Sequence, residues 1–127
     1  MALNAAAKKW VKALRSRKFK QTHHKLSDGE KYCCLGVLCE LAVEDGIIKK
    51  RFKDEAMYYG KGGNYTADTL PNLVQEWAGL STTDGDFKIS GRNKSLTFLN
   101  DHDNKSFSEI AKVIESEPEG LFQKRAK

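Results

Sequence analysis

Between Tyr32 and Cys39 the chain reads YCCLGVLC, eight residues without a charge. Extended to Val43, this segment is predicted to form a helix that is apolar around its whole circumference until Glu40 and Glu44 appear. A helix with no polar face must lie in the middle of a fold, covered on every side by other elements. Gly36 in its interior costs ~1 kcal/mol relative to alanine. It persists if another element has to approach the helix backbone closely at that point. Asp45-Gly46 ends the helix. A chain of 127 residues fits one domain, and a single core can form at this size without staples.

The flanking segments supply the cover. Asn4 caps a helix over about residues 5–17. Leu3, Ala7, Trp10, Val11 and Leu14 recur on it at helical spacing. KLSDGEKY (25–32) has two readings: a hairpin turning at Asp28-Gly29, or a capping box of Ser27 with Glu30. A loop or short strand before the central helix is favoured. IIKKRFK (47–53) reads as a strand. Residues 54–71 read as a long irregular connection of the kind that is usually functional or disordered. LPNLVQEWAGL (70–80) is a short helix with Pro71 in its first turn and Gly79 as its stop. DGDFKISGRN (84–93) is a short strand bounded by turns, and Ser95 opens a short helix. Ser106 and Glu109 make a capping box for a last helix carrying Phe107, Ile110, Ala111 and Ile114, which Pro118 stops. The sum is a single α+β domain over 1–127, with four to five short helices around the buried one and two to four short strands. Residues 1–4 and 123–127 are expected to be loose.

Charge is distributed unevenly. Residues 1–27 hold eight lysines and arginines and no acid, whereas the remaining hundred hold fourteen basic and seventeen acidic residues. Lys8, Lys12 and Arg15 form a stripe beside the apolar face of the first helix. Lys18 and Lys20 extend it, with Phe19, His23 and His24 interleaved as stacking groups. Such a footprint could grip a few phosphates, and nucleic acid is therefore a candidate partner. The bland alternative is a solvated helix face.

Chemistry-bearing motifs are few. Cys33 and Cys34 stand at the start of a helix, where a thiol pKa can fall and a thiolate become available. With His23 or His24 as base, they are the candidate catalytic set of a cysteine-dependent hydrolase or transferase. The competing reading, which the surrounding Leu35, Val37 and Leu38 favour, is that the sulfurs are buried filler. His23, His24 and the three cysteines match no usual zinc spacing, since no C-x-x-C pair occurs. DHDNKSFSE (101–109) resembles a calcium loop, but Lys105 and Ser106 occupy positions that need a ligand and a glycine. GKGGN (60–64) is not a phosphate loop. With Tyr58, Tyr59 and Lys61 it could form a mobile cover over a ligand. No metal or cofactor is expected. Adjacent Cys33 and Cys34 cannot easily bridge, so no disulfide is expected and a reducing compartment is. There is no apolar run of ~18 residues to span a membrane, and no signal-peptide pattern at the N-terminus.

The blocks KWVKALRSRKFKQ, YCCLGVLCELA, LPNLVQEWAGL, LTFLND and SFSEIAKVIE resemble, in that order, a family of small bacteriophage and prophage proteins. The resemblance covers about residues 9–116, and its most specific parts are the cysteine block and the Leu-Asn-Asp block. Arg17 and the His102-Asp103 insertion are local departures. The family carries no established mechanism or site. It implies a phage accessory protein acting in the host bacterial cytoplasm, with a host-takeover or anti-defence role. The resulting expectation is a binding module for an anionic partner, either a nucleotide-like ligand or an acidic host protein. Lys8, Lys12, Arg15, Lys18 and Lys20 would supply the field. Gln21, Asn100 and Asp101 would line a pocket, and Tyr58, Tyr59 and Lys61 would cover it. Enzymatic cysteine chemistry and nucleic-acid binding are the alternatives.

Overall fold

A computed structural model describes residues 3–123. The order of elements is α1 (Ala5–Arg15), β1 (Lys20–Gln21), β2 (Lys31–Tyr32), α2 (Cys34–Glu44), β3 (Lys49–Lys53), β4 (Ala56–Lys61), β5 (Asn64–Thr66), α3 (Asn72–Ala78), β6 (Asp86–Ile89), β7 (Arg92–Ser95), α4 (Leu96–Asp101) and α5 (Phe107–Glu115). The architecture is α+β. Five helices surround or include the buried one, and the strands make three small separate sheets: β1-β2, β3-β4-β5 and β6-β7.

Helix α2 occupies the centre, as its composition requires. Residues 34–40 are all buried. Helices α1, α3 and α4 pack against it. The fully buried Trp10 of α1 donates its indole N–H to the Cys34 carbonyl at 2.9 Å, so the largest core side chain also satisfies its one polar atom. Glu40 is the charged side chain buried with it. Its carboxylate accepts from Lys50 Nζ at 2.9 and 3.1 Å and from the Tyr59 hydroxyl at 2.7 Å. That pairing ties α2 to two strands of the three-stranded sheet.

The caps at Asn4, Ser95 and Ser106 form as expected, each accepting a backbone N–H of the first turn. Glu109 completes the capping box. The start of α2 differs. Ser27 does not cap it; Ser27 lies in a turn, accepting from the Gly29 N–H, while Asp28 accepts from the N–H groups of Glu30 and Lys31. This is the turn reading of KLSDGEKY. The cap of α2 is the Cys33 sulfur, which accepts from the Gly36 N–H at 3.3 Å.

The strands exceed the expected two to four. Residues 54–71 are not an irregular connection but hold the two-residue turn Asp54-Glu55, strand β4, a Gly62-Gly63 turn and strand β5. Asp54 and Glu55 both have positive φ (52° and 62°), the geometry that matches the twist of a hairpin. Neither is glycine or asparagine, so the usual hairpin signature is missing from the sequence. DGDFKISGRN likewise contains two strands joined at Ser90-Gly91. Of the ends expected to be loose, residues 1–2 and 124–127 lie outside the described residues. Leu3, Asn4 and Gln123 are placed, with the Gln123 N–H bonded to the Gly79 carbonyl.

Gly36 has the reason the sequence demanded. A Cβ there would lie 1.8 Å from the Leu26 carbonyl oxygen. That carbonyl also accepts from the Cys33 N–H, so the 26–27 segment is fastened against the first turn of α2. Gly36→Ala is therefore expected to destabilise by about 3 kcal/mol, the upper end for overpacking because backbone must move. At about 4 °C per kcal/mol this lowers the melting temperature by about 12 °C in calorimetry. An unchanged melting temperature would remove the close approach as the reason for the glycine.

Candidate functional site

The sequence brings three groups of residues into question, and the structure separates them. The first is the cationic stripe. Lys8, Lys12 and Arg15 do lie together, along one side of α1. With Leu3, Val11, Ser16 and Glu115 they line an open groove of about 730 Å³. Leu3 and Val11 make its apolar floor. Arg15 is paired with Glu115 of α5, whereas Lys8 and Lys12 are exposed and have no acid partner among the described residues. Lys18 and Lys20 do not line this groove. The helix ends at Arg15, and Arg17, at a positive φ of 64°, turns the chain into β1. Lys18 instead lies over the Phe19 ring at 5.9 Å. The expected five-cation footprint is thus cut to three residues by the turn after the helix.

The second group is Gln21, Asn100 and Asp101. They converge, but as a tie rather than a pocket. Asn100 is fully buried. Its Oδ1 accepts from Gln21 Nε2 at 2.8 Å and from the Cys34 N–H at 3.2 Å. Its Nδ2 donates to the Thr22 carbonyl and to Asp101 Oδ1, both at 2.8 Å. A carboxamide has two acceptor sites and two N–H donors, so every one is used internally. Gln21 Nε2 gives its other hydrogen to the Lys105 carbonyl at 2.8 Å. Asp101 Oδ1 also accepts from the His24 N–H at 2.9 Å. Nothing on Asn100 is left for a ligand. The physical reason is that β1 is two residues long and α4 six, too short to satisfy their own backbone groups.

The third group is the thiols and their candidate bases. Cys33 and Cys34 are buried, and burial pushes the Cys33 thiol up to about 12 and that of Cys34 well above its ordinary value. Desolvation of the charged form outweighs the helix N-terminus that suggested a thiolate. His23 does not serve either sulfur: its Nδ1–H donates to the Asn100 carbonyl at 2.7 Å. His24 stands beside Asp101 at 3.8 Å. Among the described residues no imidazole hydrogen-bonds a cysteine, and no three His, Cys, Asp or Glu side chains are placed to share a metal ion. The arrangement stores neutral thiols in a core.

Tyr58, Tyr59 and Lys61 are not a cover. All three belong to β4 and so cannot move as a loop. Tyr59 is fully buried against Glu40, and burial together with that hydrogen bond raises its phenol pKa. The sheet carries a feature the sequence reading did not single out. Lys49, Arg51 and Lys53 alternate along β3, which sends them to one face, and cross-strand pairing puts Tyr58 and Tyr65 on that same face. Period-two spacing in KKRFK was the available signal.

The fold is a small α+β domain with a buried, saturated polar hub and exposed cations. The chain belongs to the family described as a domain of unknown function, DUF8296, whose model matches residues 3–118. No curated protein and no solved structure matches it. No helix among the described residues is long and apolar enough to cross a membrane.

Two outcomes are expected. Asn100→Asp keeps the shape but turns a donor into an acceptor facing the Thr22 carbonyl and the Asp101 carboxylate. It should cost about 3 kcal/mol, read as a lower urea midpoint at constant m-value; an unshifted midpoint would contradict the hub. For Cys33, the folded pKa lies above the unfolded value of 9.0, so the native thiol keeps a proton that the unfolded chain loses. Stability from this group is complete below pH 9.0 and declines as pH rises toward about 12. Iodoacetamide should accordingly label the folded protein slowly up to pH 9.0, at the rate of global opening, and label it rapidly in urea. Fast labelling of native protein below pH 7 would restore the thiolate reading.

Proposed function

We propose that this protein is a non-catalytic binding module for an anionic partner, seated in the groove along α1. The observation that carries the reading is the pairing of an apolar floor, Leu3 and Val11, with the exposed ammonium groups of Lys8 and Lys12. The groove is open along its length. Small-ligand sites enclose most of their ligand, commonly ~70–90% of its surface. An acidic protein segment that lays leucine-like side chains on the floor and carboxylates at the rim fits an open groove better than a nucleotide does. Resemblance to bacteriophage and prophage proteins supports an accessory role in the host bacterial cytoplasm, with an acidic host protein as the target and host takeover or defence evasion as its purpose.

The test uses fluorescence polarisation with a labelled amphipathic helical peptide of glutamate and leucine, and its glutamine counterpart as control. The acidic peptide should bind at low salt, and Lys8→Gln/Lys12→Gln should weaken it about fivefold while the melting temperature holds. Equal affinity for the glutamine peptide, or no loss in the variant, would overturn the proposal. Calorimetric titration with ATP forms a second arm. Saturable ATP binding that the same variant abolishes, without peptide binding, would replace the acidic segment by a nucleotide-like ligand.

A further inference from the structure

The outer face of the β3-β4-β5 sheet stands apart from the groove along α1. Antiparallel partners project to the same side, so the register Lys49↔Gly60↔Tyr65, Arg51↔Tyr58 and Lys53↔Ala56 defines this face. The opposite face, with Tyr59, Met57 and Lys50, turns toward α2 and the core. On the outer face Lys49, Arg51 and Lys53 are exposed, while Tyr58 and Tyr65 are half-buried. The Arg51 guanidinium lies over the Tyr65 ring at 4.6 Å. None of the positions on this face is acidic; the nearest carboxylates in sequence are Asp54 and Glu55, in the turn beyond Lys53.

We propose that this face binds single-stranded nucleic acid. Alternate residues of a strand are about 7 Å apart, on the order of the spacing of successive phosphates in an extended single strand. Lys49 and Lys53, about 13 Å apart along β3, therefore present two cations to phosphates of such a strand. Tyr58 sits one strand across, and the Arg51 guanidinium reaches two strands across to lie over Tyr65, so that Tyr58 and the Arg51–Tyr65 pair stand where the bases would fall and stack on them. Stacking on tyrosine requires unpaired bases. The stacking surfaces on this face need unpaired bases, so single strands are preferred over double strands. Gly60 between the tyrosines has no side chain to raise an obstacle, and a Cβ there would lie 2.0 Å from the Asn64 carbonyl oxygen.

The experiment is fluorescence anisotropy on the full chain with labelled oligothymidylate, oligouridylate and a hairpin duplex, titrated against salt. Single strands should bind more tightly than the duplex, with a slope of log K against log[salt] of about −1.4 for two phosphates at ~0.7 each. Lys49→Gln/Lys53→Gln should reduce that slope by about 1.4. Tyr65→Ala should weaken binding about tenfold at fixed salt. The two lysines are solvent-exposed, so their substitution tests the face even if Tyr65→Ala fails to fold. Absence of single-strand binding at low salt overturns the proposal. So does tighter binding of duplex, or a loss of binding in Lys8→Gln/Lys12→Gln that the sheet variants do not share. The last result would assign nucleic acid to the groove along α1 and leave the sheet without a role. A difference between oligothymidylate and oligouridylate identifies DNA or RNA as the natural strand.

Discussion

One carboxamide holds together pieces of chain that have no other means of satisfying themselves. Strand β1, the first turn of α2 and the two turns of α4 are each too short to be self-sufficient in hydrogen bonds. Asn100 reaches all three from a fully buried position, and its own backbone carbonyl recruits His23 as a fourth contact. In a low-dielectric interior such a network is strong when complete and costly when broken. The apolar helix supplies the driving force for collapse, but apolar surface is indifferent to direction. The hub and the Glu40–Lys50–Tyr59 cluster determine which way round the elements dock.

Much of this was legible in the residues. The central position of α2 followed from the uncharged YCCLGVLC run, the caps from Asn4, Ser95 and Ser106, and the close approach at Gly36 from the cost of a glycine inside a helix. The first strand of the three-stranded sheet was legible in IIKKRFK, but its two partners were not, because the turn that joins them to it, Asp54-Glu55, lacks the glycine or asparagine that marks a tight hairpin, and the segment is rich in glycine and charge. Local propensity said loop; the pairing of Lys50 with Glu40 and of Tyr59 with the core is long-range information that no window of sequence contains. The convergence of Gln21, Asn100 and Asp101 was also legible, as polar residues flanking apolar blocks. Their purpose was not, since counting hydrogen bonds requires coordinates. The stripe on α1 was half legible: periodicity placed Lys8, Lys12 and Arg15 on one face, but the turn at Arg17 and the pairing of Arg15 with Glu115 lie outside any helical repeat.

The charge layout divides the molecule by role. Its interior holds three thiols, the Tyr59 phenol, the Asn100 carboxamide and the paired Glu40 carboxylate. Its exterior holds cations arranged by secondary structure, at helical period on α1 and at strand period on β3. A surface of this kind shapes the electric field around the molecule without needing any group of perturbed acidity.

The thiol at position 33 has a double employment. Serine or threonine would cap α2 with a better acceptor, but would place a hydroxyl among leucines. Alanine or valine would suit the leucines and leave the Gly36 amide with no partner. Only a side chain that is both oily and weakly accepting meets both demands, and cysteine is the small residue with that mixture. The unusual density of sulfur in this segment is then a solution to a solvation problem at a helix start, in which one atom serves as solvent for its neighbours on one side and as ligand to an amide on the other.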